Sequence, residues 1–213
     1  MSTHVWSPPY QPIHKPEPLP DGPDPGLLLD IWFTPRPAMR TVLDHGRTYG
    51  VLFLAALSGL ASFKLSGSAD VLTTPQAYYM FGGLFLAAPL FGILGIYLEA
   101  LVIWMSATVF GLAADVQSIA AAGAWGRVPS TVCKLIALPF AVAAFLGASL
   151  QPLLFVVVVL TAIGWFWSWI THMSALGEAL EIHAARAFLV YVAPGFGLTV
   201  GILAIFVLGA TLS

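Results

Sequence analysis

One carboxylate, Glu99, stands in the middle of an almost wholly apolar stretch, FGILGIYLEALVIW at residues 91–104. An acid at the centre of a lipid bilayer costs about 2.5–3.5 kcal/mol on insertion scales, so it has to be protonated, hydrogen-bonded or paired with a cation. Intramembrane acids are also candidates for proton or ion coupling. We expect a buried structural hydrogen bond at Glu99, and a coupled proton or ion site is the alternative.

Small residues share the helical face of Glu99. Gly95, Gly92 and Ala88 lie four, seven and eleven positions before it, and Ser106 lies seven positions after it. Positions at these spacings fall on one side of an α-helix. Membrane helices approach closely through small residues, so we predict a helix-packing face of Gly92, Gly95 and Ser106. Glu99 is then expected to point into the bundle.

Lys134 is the candidate cationic partner of Glu99, because it lies in the first turns of the third predicted span. At 1.5 Å per residue, Glu99 is about 21 Å deep and Lys134 about 8 Å. A lysine side chain closes only part of that gap. The other candidate partners are the hydroxyl groups of Thr161, Ser168, Tyr191 and Thr199.

Histidines and tryptophans around the fourth predicted span are residue types that bind metals or stack on cofactors. His172 and His183 are eleven residues apart, about 16 Å along one helix, which is too far to share an ion. We interpret both as solvated or interfacial histidines. Trp165, Trp167 and Trp169 are typical of an aromatic belt at the headgroup level. The sequence therefore predicts no catalytic residue, no metal site and no cofactor.

The elements that must position these residues follow from the composition. Of the 213 residues, 59% are hydrophobic and 8% are charged, whereas soluble domains carry about 25% charged residues. We predict an all-α, polytopic membrane protein with five transmembrane helices. The predicted spans are about residues 49–65, 76–112, 128–146, 153–172 and 187–212. No basic patch with interleaved aromatic residues occurs, which excludes nucleic acid as a partner.

Two connecting segments lie between the predicted spans. Residues 113–127 are interpreted as a small-residue linker, with room for a short surface helix before Trp125. Residues 173–186 are interpreted as a polar, amphipathic segment on the cytoplasmic side.

Residues 1–26 are predicted to be a tail separate from the membrane domain at 27–213. Eight prolines fall within the first 25 residues. Prolines at this density prevent helix formation and favour an extended, solvated chain. We expect a disordered cytoplasmic tail, and a proline-rich ligand for a partner protein is the alternative.

A short amphipathic helix is predicted just before the first span. Thr34 and Pro35 provide an N-cap and a first helical position, and Gly46 provides a stop. Arginines on one face of such a helix reach lipid phosphates, although a basic flank without lipid specificity is also common. The predicted headgroup contacts are Arg36, Arg40, Arg47 and Trp32.

The distribution of basic residues predicts the orientation. Only Lys64 falls on the side opposite the N-terminal tail. Basic residues collect on the cytoplasmic side of membrane proteins, so we expect a cytoplasmic N-terminus, with Ser213 outside. The basic residues on the side of the tail are Lys15, Arg36, Arg40, Arg47, Arg127, Lys134 and Arg186.

Several motifs occur in an order that is typical of one family. A tryptophan, a Pro-Arg pair, a further arginine and an aspartate precede the first span, a glycine-containing second span follows, and a tryptophan and a proline open the third. Over about residues 28–210 the sequence resembles the bacterial branch of the Yip-domain membrane proteins, named for the interaction of eukaryotic members with Ypt/Rab GTPases. The residues that carry the resemblance are Trp32, Pro35, Arg36, Arg40, Asp44, Gly92, Gly95, Trp125 and Pro129.

The resemblance implies a multi-pass protein with a cytoplasmic N-terminus, in the bacterial inner membrane, and it implies no enzymatic activity. We expect a non-enzymatic protein that associates with membrane lipids and with a membrane-protein partner or a second copy of itself, as an organiser or accessory subunit. The alternative function is a small proton- or ion-coupled transporter or channel that uses Glu99.

Overall fold

A computed structural model describes residues 25–46, 50–62, 75–145 and 150–212. In these ranges the backbone forms eight α-helices and no strand, which confirms the all-α fold class there. Residues 1–24 of the predicted tail lie outside the described residues. In chain order the helices are α1 Pro25–Phe33, α2 Pro35–His45, α3 Val51–Ser62, α4 Pro75–Val109, α5 Val116–Gly126, α6 Val128–Phe145, α7 Leu150–Ala179 and α8 Ala184–Leu212.

Three helical stretches of the described chain are long and apolar enough to cross a membrane: Gly82–Val109, Val116–Ala143 and Pro152–Ala179. Each contains 28 residues, or about 42 Å of α-helix, which exceeds a hydrocarbon core of about 30 Å. Their mean hydropathies are 2.1, 1.2 and 2.2. They overlap the second, third and fourth predicted spans and support a membrane-embedded helical protein.

The first predicted span has a shorter counterpart, whereas α8 covers the fifth. Helix α3 has 12 residues, about 18 Å of helix, and residues 63–65 of the predicted span lie outside the described residues. Helix α8 contains the short apolar stretch Ala184–Gly197. The count of five spans therefore stays a prediction.

Helix α5 corrects the interpretation of residues 113–127 as a surface linker. Asp115 begins this helix, because its Oδ2 accepts a hydrogen bond of 3.1 Å from the Ser118 N–H. Every residue from Ser118 to Gly126 is buried. The Ala-Gly run at 120–124 has little side-chain volume, which lets neighbouring helices approach closely. The third candidate span thus starts at Val116 and includes α5, whereas the sequence prediction starts it at residue 128.

Helix α7 is longer than predicted. It continues to Ala179, through the first half of the segment interpreted as polar and amphipathic, because that segment has an apolar side. Ala175, Leu176 and Leu180 are buried in the main core. The turn into α8 follows, and there Glu181 adopts a positive φ of 55°.

Helix α2 is amphipathic, as its spacing predicts, and its apolar side is buried in the bundle. Ala38, Met39 and Val42 are all buried and belong to the same core as α5 and α7. Only its polar side is exposed. The helix therefore packs into the bundle through its apolar side.

Helices α3 and α4 cross in close contact at two glycines. A Cβ atom at Gly92 would clash with the Ala55 carbonyl oxygen and lie 2.8 Å from the Gly59 Cα. Gly95, predicted to share this packing face, differs: it is exposed, and a Cβ there would meet nothing within 4 Å among the described residues. Helix α3 therefore contacts only the part of the predicted face that contains Gly92 and Ala88.

This difference between the two glycines predicts opposite effects of the same substitution. Gly92→Ala should lower the stability of the bundle by about 1–3 kcal/mol, because the new methyl group overpacks the helix crossing. Gly95→Ala should leave stability unchanged or raise it by up to about 1 kcal/mol, because alanine is the better helix former. Apparent melting temperatures of both full-length variants in a mild detergent check this, and equal shifts would contradict the crossing.

Candidate functional site

The third candidate span is broken between α5 and α6, at Arg127. Pro129 has no N–H group and so cannot continue the helical hydrogen bonds across this point. Inside a membrane-spanning segment such freed backbone groups need partners from the protein. Two hydroxyl groups of α7 supply them: Thr171 Oγ1 donates to the Gly126 carbonyl at 2.7 Å, and Ser168 Oγ accepts from the Ser130 N–H at 2.8 Å.

The break places an ion pair inside the bundle. Arg127, between α5 and α6, donates from its Nη2 to Glu99 Oε2 on α4. The two side chains are 32% and 21% exposed, so the pair is partly shielded from solvent. The planar guanidinium group suits a carboxylate better than an ammonium group does. Glu99 therefore has a charged partner that donates a hydrogen bond to it, and this partner is not among the candidates predicted from the sequence.

The structure pairs Glu99 with Arg127 and not with Lys134. Helix α5 runs back along α4, where Gly123 faces Ile96. Its 11 residues cover about 16 Å, comparable with the about 15 Å between Glu99 and the end of α4. This return brings Arg127, predicted to lie in a linker, to the level of Glu99. Lys134 is two helical turns further on and donates to Ser62 Oγ at 3.1 Å.

His172 lies beside the ion pair and is buried, which corrects its interpretation as a solvated or interfacial histidine. Its residue exposure is 5%, because Gly126 packs directly against it: a Cβ at Gly126 would lie 3.0 Å from the His172 Nδ1. His172 Nε2 is 3.9 Å from Glu99 Oε1. Neither atom, nor His172 Nδ1, makes a hydrogen bond of normal geometry among the described residues, although the Ala122 backbone lies close to the His172 ring.

Tyr191 of α8 completes the cluster. Its ring meets the His172 ring edge to face, with the centroids 5.2 Å apart. Its hydroxyl group lies close to Glu99 and Arg127. Four elements therefore converge on one polar centre: α4, the α5–α6 break, α7 and α8.

A cavity of about 270 Å³ opens beside this centre. Its polar lining comes from helix positions three, four or seven residues apart, which fall on one face of each helix. Trp165 and Trp169 border it as well. This spacing was the signal that sequence reasoning missed. The polar lining residues are Ser58 and Ser62 of α3, Arg127, Ser130 and Lys134 at the break and on α6, Ser168 and His172 of α7, and Tyr191 of α8.

A second cavity, of about 390 Å³, lies between α3 and α4. Ser58, Ser62 and Arg127 line both cavities. Gly92 and Gly95 line only the second, so the exposed Gly95 borders open space at a cavity. The Arg127 side chain thus marks the boundary between the two cavities.

The remaining predicted site residues lie elsewhere. Ser106 is buried and donates to the Val190 carbonyl at 2.8 Å, which ties α4 to α8. Arg36 donates to the Ile182 carbonyl and Arg40 to Glu178 Oε1, both at 2.7 Å, so the two arginines tie α2 to the end of α7. Arg47 lies outside the described residues.

The tryptophans of α7 contact the bundle on one side. Trp167 Nε1 donates to the Trp32 carbonyl at 2.9 Å, so Trp32 helps to hold α1 against α7. Trp169 packs against Tyr191 with the ring centroids 5.7 Å apart. Trp165 is 61% exposed. These contacts position α1 and the rim of the first cavity.

Within the described residues, no three His, Cys, Asp or Glu side chains converge on a position that could hold a metal ion. Comparison of the chain with protein families, with curated proteins and with solved structures finds no match. The resemblance to the Yip-domain proteins stays a prediction.

The ion pair predicts a specific pattern of stabilities. Glu99→Gln or Arg127→Gln alone should destabilise the protein by about 1–3 kcal/mol, because each leaves one charge inside the bundle without its partner. The double variant Glu99→Gln/Arg127→Gln should recover most of that loss, since it removes both charges. Apparent melting temperatures in detergent measure this.

Glu178→Gln is the matched control, because its arginine partners are largely exposed and such pairs contribute at most about 1 kcal/mol. Strictly additive losses in the double variant would contradict the pairing.

Proposed function

We propose that this protein is a small, non-enzymatic membrane transporter or channel that moves a proton, ion or small polar solute past the Glu99–Arg127 pair. The observation that carries the proposal is the polar cavity at the α5–α6 break. Charged side chains inside membrane segments are functional-site candidates by default, because such residues mark ion and substrate pathways. Broken spans likewise place binding sites at the ends of their half-helices.

The Arg127 side chain has the position that a gate requires. It borders both cavities, and Glu99 holds it at their boundary. When a proton neutralises Glu99, or a competing ion displaces its carboxylate from Arg127, the guanidinium group loses its attachment to α4. It then becomes available to a solute in either cavity. His172 lies beside the Glu99–Arg127 pair, with its Nε2 atom 3.9 Å from Glu99 Oε1.

The finer topology belongs to this proposal. We place five spans, with the N-terminus in the cytoplasm and Ser213 outside, in the bacterial inner membrane. Arg127 and Lys134 lie in the bundle and no longer count as basic residues of a loop. The remaining basic residues still support this orientation, because five fall on the side of the tail and one, Lys64, on the other. The five are Lys15, Arg36, Arg40, Arg47 and Arg186.

Flux through proteoliposomes tests the proposal. The wild-type protein should carry protons, or one of a panel of small ions, and the Glu99→Gln/Arg127→Gln variant should lose most of that flux while remaining folded. Asp30→Asn, which removes an exposed carboxylate on α1, is the matched control and should retain it. Absence of flux in the wild type for protons and for every ion and small polar solute of the panel would overturn the proposal, as would unchanged flux in the double variant.

A second candidate function is association with a partner protein or lipid, as in a membrane organiser or an accessory subunit. The observation that favours it is a cleft of about 870 Å³ where α2, the start of α5 and the end of α7 meet. Arg36 and Arg40 line it and are 44% and 71% exposed at their side chains. Their salt bridges to Glu178 are weak enough for a lipid phosphate to compete with them.

Hydrogen exchange in nanodiscs tests this second function. Anionic lipid should slow amide exchange in α2 of the wild-type protein relative to zwitterionic lipid, because the arginines then contact the headgroups. The Arg36→Ala/Arg40→Ala variant should show a much smaller difference. If α2 exchanges equally in both lipids, headgroup docking by these arginines is wrong.

A pull-down of the full-length protein in a gentle detergent shows separately whether the protein is isolated alone, as an oligomer or with a larger assembly.

A further inference from the structure

Helix α8 contains a proline three residues after Tyr191. Each N–H group of an α-helix donates to the carbonyl four residues earlier, and proline has no N–H group. Because of Pro194, the Val190 carbonyl therefore lacks its helical donor. Val190 is only 3% exposed, so this acceptor needs a partner from the protein.

Ser106 of α4 provides that partner. Its Oγ donates to the Val190 carbonyl at 2.8 Å, and the hydrogen bond is buried. In membrane helices that contain a proline, hydroxyl side chains and neighbouring helices commonly satisfy the backbone groups that the proline frees. Ser106 and Pro194 are therefore complementary, because the proline frees an acceptor and the serine of the adjacent helix replaces the missing donor.

Helix α8 loses its support from the bundle just after Pro194. The three residues that follow are exposed, and a Cβ atom at either glycine among them would meet nothing within 4 Å in the described chain. Thr199 Oγ1 donates to the carbonyl four residues earlier in its own helix, at 2.9 Å. Interior prolines and hydroxyl groups bonded in this way bend helices. The Ser106 hydrogen bond therefore lies at a hinge, where α8 passes from buried to exposed.

The same hydrogen bond determines where Tyr191 lies, because Tyr191 directly follows Val190. The Tyr191 ring meets the His172 ring with the centroids 5.2 Å apart, and the hydroxyl group lies close to Glu99. Glu99 is on α4, seven residues before Ser106 and on the same helical face. One helix thus carries both the carboxylate and the serine that holds the tyrosine beside it.

We propose that Ser106 is a positioning residue of the transport site. By bonding the carbonyl that Pro194 frees, it holds the first half of α8 against α4 and keeps Tyr191 beside the Glu99–Arg127 pair. Loss of this bond lets α8 swing at its proline and withdraws the tyrosine from the pair. Ser106 is not one of the described residues that line either cavity, so it acts through Tyr191. The inference rests on the proposed function, because it concerns the same site, but its tests do not require transport.

A double-mutant cycle between Ser106 and Pro194 tests the first step. Ser106→Ala should lower the apparent melting temperature of the full-length protein in a mild detergent by about 2–4 °C or more, because a buried carbonyl loses its donor. In the Pro194→Ala background the same change should lower it much less, because position 194 then has an N–H group that donates to the Val190 carbonyl. Equal shifts in the two backgrounds would overturn the proposal.

Ser118→Ala is the matched control for this cycle. Ser118 is another buried serine, but it belongs to α5 and its hydroxyl group donates to Asp115 Oδ2 at 3.2 Å. Its substitution should lower the melting temperature equally with and without Pro194. If Ser106→Ala alone fails to fold, a folded Ser106→Ala/Pro194→Ala variant supports the pairing, and failure of that variant as well overturns it.

A second cycle separates positioning from a purely structural role. Tyr191→Phe removes only a hydroxyl group, and in the wild type it should lower the melting temperature by about 2 °C or more. In the Ser106→Ala background it should have little effect, because the hydroxyl group has then moved away from the pair. A serine that only satisfied the Val190 carbonyl would give additive losses.

Additive losses in this second cycle, or no effect of Tyr191→Phe in the wild type, would overturn the proposal. The same comparison is made in the Pro194→Ala background if Ser106→Ala folds only there.

The outcomes also separate this inference from the proposed function. Flux through the wild-type protein together with additive losses in both cycles would overturn the inference and leave the transport function standing. Coupled losses in both cycles without flux of any ion or solute would overturn the transport function and leave the positioning of Tyr191 by Ser106 standing.

Discussion

The hydrogen bonds that close the break between α5 and α6 are the interactions on which the rest of the site depends. A break inside a membrane span frees backbone groups that water does not reach, so another helix has to satisfy them. Here Thr171 and Ser168 do so from α7. Because both hydroxyl groups must face the break, the rotation of α7 about its axis is determined at this level, and His172 is then directed towards Glu99.

Helix α5 makes this arrangement sterically possible. Its small side chains let it lie between α4 and α7, where a chain of leucines would not fit at the same separations. Trp125, near the end of α5, is fully buried and packs against Gly50. A Cβ atom at Gly50 would lie 3.1 Å from the indole ring. Helix α2 then covers the end of this central helix with Met39 and Val42.

The Glu99–Arg127 pair is difficult to explain by stability alone. Ion pairs that are shielded from water commonly contribute no more than a well-packed apolar pair of similar volume, because desolvation offsets the attraction between the charges. The pair lies at the boundary of two cavities and beside a buried histidine whose ring nitrogens make no hydrogen bond of normal geometry within the described residues. This combination of a shielded charge pair, open space and an unsatisfied polar group is what directs the functional proposal to this position. The apolar surface of the same helices is ordinary for a bundle in contact with lipid.

The sequence alone determined which segments are long apolar helices, because stretches such as Gly82–Val109 and Pro152–Ala179 have an apolar composition that few other environments tolerate. It also identified Glu99 as the residue whose charge needs an explanation. It could not identify Arg127 as the partner, because that depends on the path of the chain between α4 and α6. The Ala-Gly run of α5 has small side chains and resembles a linker, and only packing against α4 and α7 makes it a buried helix. The tertiary structure therefore decided the charge pair, the burial of His172 and the cavities, since each arises from side chains of different helices that meet only when α5 folds back into the bundle.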